Sequence, residues 1–140
     1  MSNTRFTVAI HVLTLLAYCG PEALTSEFIA GSVNTNPVVI RRILSSLREA
    51  KLVTSQAGPG GGWQLLRDPH KITLRNVLVA VSSNPIFLLH SAPPNIKCPV
   101  GREIQALLSR RFQSAQEAME HDLDRTTIAQ LIAGVKGCSV

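Results

Sequence analysis

NTNPVVIRRILSSLREAKLVTSQAGPGGGWQLLRDP occupies residues 34–69, and it passes from helix signals to a glycine-tipped hairpin within one short stretch. Asn34, Thr35 and Asn36 offer capping side chains, and Pro37 suits a first helical position because its missing N–H would have had no partner there. Ile40, Ile43, Leu44 and Leu47 then recur at three- and four-residue spacing, which predicts one buried helix face. The opposite side carries Val38, Arg42, Ser45 and Glu49, flanked by Arg41 and Arg48. An apolar back and a basic front, with bases in the early turns, is the pattern of a recognition helix that presents its N-terminal half to base edges. Beyond it, Leu52-Val53-Thr54 and Trp63-Gln64-Leu65-Leu66 bracket the cluster Ala57-Gly58-Pro59-Gly60-Gly61-Gly62. Strand formers on either side of Gly and Pro predict a hairpin, whose glycines permit positive φ and close backbone approach. A nucleotide-cradling P-loop would need Lys-Ser/Thr after its glycines, where Trp63 and Gln64 stand.

Upstream, residues 5–18 are apolar on most sides. Phe6, Ala9, Ile10, Leu13, Leu16 and Ala17 lie at helical spacing, and Thr7, His11, Thr14 and Tyr18 form a narrow polar stripe, so the helix is expected to be covered on more than one face. Gly20-Pro21 ends it. Thr25 precedes SEFIAGSV, a short helix that it caps. Three short helices followed by a hairpin predict a mainly α fold with a small β-hairpin wing: a winged helix-turn-helix.

A chain of 140 residues accommodates one domain with an appendage. Aromatics make up 4% of it and hydrophobic residues 45%, so Leu, Ile, Val and Ala must build the core. The formal charge of +5 favours polyanions. Between Val33 and Arg67 the bases Arg41, Arg42, Arg48, Lys51 and Arg67 face the single acid Glu49. Charge alone fits a nucleic-acid contact or a solvated surface equally well. No run approaches the roughly 20 apolar residues of a membrane span, and a secretory leader pattern is absent, so a cytoplasmic location without membrane partners is expected. Cys19, Cys98 and Cys138 are far apart and odd in number, which reads as reduced thiols rather than a disulfide framework.

In the order ILSSLREAKLVTSQAGPGGGWQLLRDPHKITLRNVLVAV the chain resembles the Rrf-two family of bacterial regulators. The signature is the helix running into L-V-x-S-x-x-G-P-G-G-G, then a strand with one aromatic, then I-T-L-x-x-V. CPVGREIQALLSRRF and DRTTIAQLI resemble its subgroup of small, cluster-free members called YwnA-like. The resemblance implies a dimeric winged-helix regulator. Relatives often carry Arg just before the wing glycines to enter the minor groove; here Ala57 stands there, leaving Gln56 and the backbone of Gly58, Gly60 and Gly61 as wing contacts.

The C-terminal half points to a dimer on its own terms. After Cys98-Pro99 the chain is free of further proline up to Leu123, which predicts one helix of about 24 residues and roughly 36 Å. Ile104, Leu107, Leu108, Phe112, Ala115, Met119 and Leu123 form a stripe at coiled-coil-like spacing. Either the same subunit covers it or a second copy does, and its length favours the second copy. A last helix over residues 127–135, capped by Asp124 or Thr126, is expected to fold back against the first helix. The division expected is therefore a DNA-binding domain over residues 1–81, a hinge over 82–99 broken by Pro85, Pro93 and Pro94, and a dimerisation helix with a C-terminal helix over 100–140.

In cluster-bearing relatives several cysteines sit in the hinge and the start of the dimer helix, whereas residues 82–102 here contain Cys98 alone. His11 lies where some relatives have a first-helix ligand. Four ligands are the usual need of a cluster, so no metal and no cofactor is expected, iron–sulfur included. Cys98 or Cys19 serves either as a structural thiol or as a redox switch. His70, His90 and His121 stand isolated from ligand partners at metal spacing. No nucleophile with an evident base is present, so an enzyme is not expected.

The DNA-contact set expected from all this is Thr25, Asn34, Thr35, Asn36, Val38, Val39, Arg41, Arg42, Ser45, Gln56, Gly58, Gly60 and Gly61. Three function classes follow. The first is a repressor binding a palindromic operator in double-stranded DNA as a homodimer, with or without thiol control. The second is a winged-helix module for protein partners, favoured if Arg41 and Arg42 are paired and buried. The third is a small hydrolase or nucleotide binder. Effector and operator sequence are not encoded in any recognisable motif.

Overall fold

The stripe that the first helix turns inward is Ala9, Val12, Leu13 and Leu16, each at most 1% exposed, and the remaining elements gather on it. The computed structural model describes residues 4–82 and 85–135. Helices α1 (Thr4–Tyr18), α2 (Ser26–Val33) and α3 (Pro37–Glu49) contribute to one core, with Ile29 and Ala30 from α2. From α3 come Ile40, Ile43, Leu44 and Leu47, the four positions that periodicity singles out. Each such side chain contributes about 1.5–3 kcal/mol by leaving water.

Thr25 caps α2 as expected, its Oγ1 accepting the Phe28 N–H at 3.1 Å. The three residues expected to cap α3 divide their work differently. Asn36 alone caps it, with its Oδ1 accepting the Val38 N–H at 2.7 Å and Pro37 following at the first position. Asn34 instead ends α2 in the left-handed conformation at φ +64°, and the Thr35 N–H donates to the Ala30 carbonyl. A tight turn between two helices needs one residue at positive φ, and Asn tolerates it better than any other non-glycine residue.

Strands β1 (Val53–Gln56) and β2 (Gly62–Leu65) form the antiparallel wing, with Val53 opposite Leu65 and Gln56 opposite Gly62. Leu24 adds a bridge to Trp63 through two backbone hydrogen bonds of 3.0 and 2.8 Å, tying the wing to the segment before α2. A 3-10 turn (Pro69–Lys71) follows. Asp68 caps this turn, and the His70 N–H it accepts holds its carboxyl below the usual carboxylate range.

Helix α4 (Leu74–Val81) is one that periodicity does not single out, because eight residues are too few to display a pattern. A reciprocal cap between Thr73 and Asn76 starts it, Val77 joins the core that α1 and α3 build, and Leu78 is buried outside that cluster. Residues 85–97 contain neither helix nor strand.

Helix α5 (Pro99–Leu123) runs 25 residues, beginning one residue before the expected start. None of its residues is buried, and within the chain it packs on α4. Helix α6 (Ile128–Ala133) folds back on α1 as expected. Its cap is Thr127, in a reciprocal pair with Gln130, rather than Asp124 or Thr126. Both of those are engaged elsewhere: Asp124 accepts from the Thr73 hydroxyl at 2.9 Å, and the Thr126 carbonyl accepts the Leu74 N–H. Ile128 sits in the main core at 0% exposure. Among the described residues no helix is long and apolar enough to cross a membrane.

Candidate nucleic-acid interface

Four buried side chains on one face of α3 leave the other face turned outward. Val38 and Val39 are 48% and 40% exposed, Arg41 and Arg42 are exposed, and Ser45 is half-buried. The Arg41 guanidinium donates to Glu27 Oε2 at 2.7 Å, with both side chains more than half exposed. An exposed pair of this kind adds little stability, about 0–1 kcal/mol, but it limits where the guanidinium points. Arg42 has no ion-pair partner among the described residues. Arg41 is thus paired but not buried, and the condition that favours a protein-binding module is not met.

Arg48 has a different part from the one its place on the basic front suggests. Its guanidinium lies 5.3 Å from the centre of the Trp63 ring and reaches Ser55 Oγ at 3.4 Å, joining the end of α3 to the wing strands. At the wing, Gln56 Nε2 donates to Gln64 Oε1 at 3.2 Å, and Gln64 Nε2 in turn donates to the Pro21 carbonyl. Gly58 and Gly60 have φ of +89° and +76° with open space around them, while a side chain on Gly61 would strike the Gln56 and Gly58 carbonyls. The tip is exposed backbone. Glu27 and the Arg48–Trp63 contact are parts of this surface that sequence reasoning missed, since neither pair lies within helical or cross-strand reach along the chain.

On α5, Ile104, Leu108, Phe112 and Met119 are half-buried while Leu107 and Ala115 are exposed, Leu107 by 60%. Cys98 is the exposed residue before α5, and its side chain makes no cap hydrogen bond. Cys19 is half-buried against the core, and Cys138 lies outside the described residues. His11 meets Ser32 Oγ through Nε2 at 2.9 Å.

Comparison with known proteins bears directly on this arrangement. The family model Rrf2, described as an iron-dependent transcriptional regulator, matches residues 2–134. The chain is 48% identical over 124 residues to YwnA of Bacillus subtilis (strain 168), a protein named provisionally as an HTH-type transcriptional regulator; the match covers 88% of this chain and 90% of that one. Among solved structures, one described provisionally as a DNA-binding protein is 42% identical with a TM-score of 0.74, covering 91% of this chain and 98% of its own. Another, a transcriptional regulator from Lactobacillus plantarum again named provisionally, is 26% identical with a TM-score of 0.78, covering 94% and 89%.

The iron in the family's description finds no matching ligand set among the described residues of this chain. Among the described residues no group of three or more His, Cys, Asp or Glu is placed to hold a metal ion. Cys98 is on the surface before α5, Cys19 leans on the core, and His11 is engaged with Ser32. A family model that spans nearly the whole chain, a close relative over most of its length and a winged-helix fold with a basic third helix lead to one assignment: the chain belongs to the Rrf2 family of transcriptional regulators, a family of DNA-binding proteins rather than enzymes.

Proposed function

We propose that the protein is a repressor that binds a palindromic operator as a homodimer, reading bases with the first two turns of α3. The observation that carries this is the exposure of Val38, Val39 and Arg42 on a helix anchored by four buried residues. Arg42 is suited to guanine, whose O6 and N7 accept two N–H groups of one guanidinium, and the valines to thymine methyls. The side-chain amide N–H groups of Asn36 meet phosphate, as do the Thr25 hydroxyl at the start of α2 and the wing backbone at Gly58 and Gly60. In this reading residues 1–81 hold the DNA, 82–99 form the hinge, and α5 pairs with its copy. Two symmetry-related α3 helices then read half-sites about 34 Å, or a multiple of that, apart. Footprinting on an operator selected from random DNA is expected to show two-fold protection; an asymmetric, single-turn footprint would rule the arrangement out.

Arg42→Ala is expected to cost about 1–3 kcal/mol on the preferred site and to relax the preference at one base position. A phosphate contact would instead weaken all sequences alike and flatten the salt dependence. Binding and salt slope both unchanged would remove Arg42 from the interface.

The protein works without a cluster in this reading, since the hinge and the start of α5 supply one thiol. Anaerobically purified protein is expected to be colourless, to contain no stoichiometric iron and to bind its operator. A brown protein with about one cluster per subunit would overturn this. Where a thiol signal operates, the exposed Cys98 rather than the half-buried Cys19 is the group an oxidant reaches. Operator binding by Cys98→Ser should then ignore oxidant, and a response equal to that of the unsubstituted protein would leave Cys98 a structural thiol.

A further inference from the structure

We infer that the cleft between α4, α5 and the loop at residues 85–89 is an effector site for a small hydrophobic organic cation. The cleft holds about 670 Å³, within the size of small-molecule sites. Its apolar wall is Phe87 and Phe112, stacked with ring centres 5.1 Å apart and planes 23° from parallel, together with Leu88 and Leu89. Leu88 is 64% exposed and Phe87 43%, so this wall lies open to whatever enters.

The other end is acidic. Arg75 of α4 lies 3.4 Å from Glu120 of α5, each compensating the other's charge. Glu117 accepts a hydrogen bond from the neutral Gln113 at 3.2 Å and has no ion-pair partner among the described residues, so the lining has a net negative charge. A smaller hollow of about 210 Å³ shares Arg75, Glu117 and Glu120 and adds Asp124 and His121. Aromatic faces attract cations, and an uncompensated carboxylate at the far end does the same. A hydrophobic anion would gain from the apolar wall and lose at the acidic end.

In the homodimer proposed above, a second copy leaves this space open. At 100° per residue, Ser109, Gln113, Gln116, Glu117 and Glu120 centre roughly 130° around α5 from the stripe of Ile104, Leu107, Leu108, Phe112, Ala115, Met119 and Leu123, with Phe112 on the side of the stripe nearer the cleft. Pairing through the apolar stripe leaves the cleft facing α4. A cation seated there lies between the helix that joins the DNA-binding core and the helix that joins the dimer, where it shifts one against the other and lowers operator affinity. That consequence rests on the operator-binding reading; the binding itself does not.

Tetraphenylphosphonium is the probe, with tetraphenylborate as an anion of the same shape. Calorimetry on the full chain is expected to show saturable binding of the cation at one per subunit and none of the anion. Phe87→Ala and the surface substitution Glu117→Gln should each weaken it by about tenfold. Equal binding of the two ions, or undiminished binding by both variants, would overturn the site, and the comparison of ions needs no variant to fold. Dissociation of the dimer by the cation in light scattering would also overturn it, by making the cleft part of the interface. On a labelled operator duplex the cation should weaken binding by the unsubstituted protein more than by Glu117→Gln. Cation binding with operator affinity unchanged would remove the effector role. A protein that binds no operator at all would defeat the operator reading, while calorimetry still decides the site.

Discussion

Leu107→Asp is expected to turn a dimer into a monomer and to lower operator affinity on the order of 10²–10⁴-fold, because two half-sites bound by one rigid pair gain that much over two independent contacts. Leu107 is 60% exposed in the single chain, so its loss leaves the fold of the subunit intact. Its place on α5 is near the start of an apolar stripe none of whose members is buried. A carboxylate there must lose water against an apolar surface when a second copy docks, with no cation supplied by the stripe. Arg110→Ala, off the stripe, is the control and should keep the dimer. Light scattering and an operator titration check both outcomes, and a Leu107→Asp dimer with undiminished affinity would end the model in which α5 pairs with itself.

Gly62→Ala is expected to cost about 3 kcal/mol of stability, seen as a drop in melting temperature of about 10 °C. Two causes add. Gly62 has φ of +146°, a conformation that residues with a side chain rarely adopt, and a Cβ there would come within 2.5 Å of the Leu24 carbonyl oxygen. That neighbour is backbone, held by the two hydrogen bonds that join Leu24 to Trp63, so it cannot rotate away. Gly60→Ala is the comparison: φ of +76° with open space leaves only the conformational term, about 1 kcal/mol. Equal melting temperatures for the two variants would show that the close approach to Leu24 is not what demands glycine at position 62.

Taken residue by residue, the sequence by itself determined whatever is decided within one or two turns of chain. The buried face of α3, the Thr25 cap, Pro37 at the start of α3, the glycine-tipped wing and the length of α5 all follow from spacing or from one side chain meeting its own backbone, whereas which of Asn34, Thr35 and Asn36 caps α3 does not. The likeness to the family is carried by segments spread along the chain, and the family model accordingly spans residues 2–134. Contacts made by chain reversal were decided by the tertiary structure alone. Glu27 reaches Arg41 across fourteen residues, because α2 packs on α3, and Arg48 leaves the basic front to lie over Trp63, because the hairpin turns back beside it. Ile128 enters the core through a backbone hydrogen bond to Ile72, which makes Thr127 rather than Thr126 the cap of α6. Several local caps were available near residues 124–127, each worth about 1 kcal/mol and nearly equal in strength. Burial of a whole isoleucine, about 1.5–3 kcal/mol, outweighs the difference between them and selects the register, and only the packed fold determines which residue is buried.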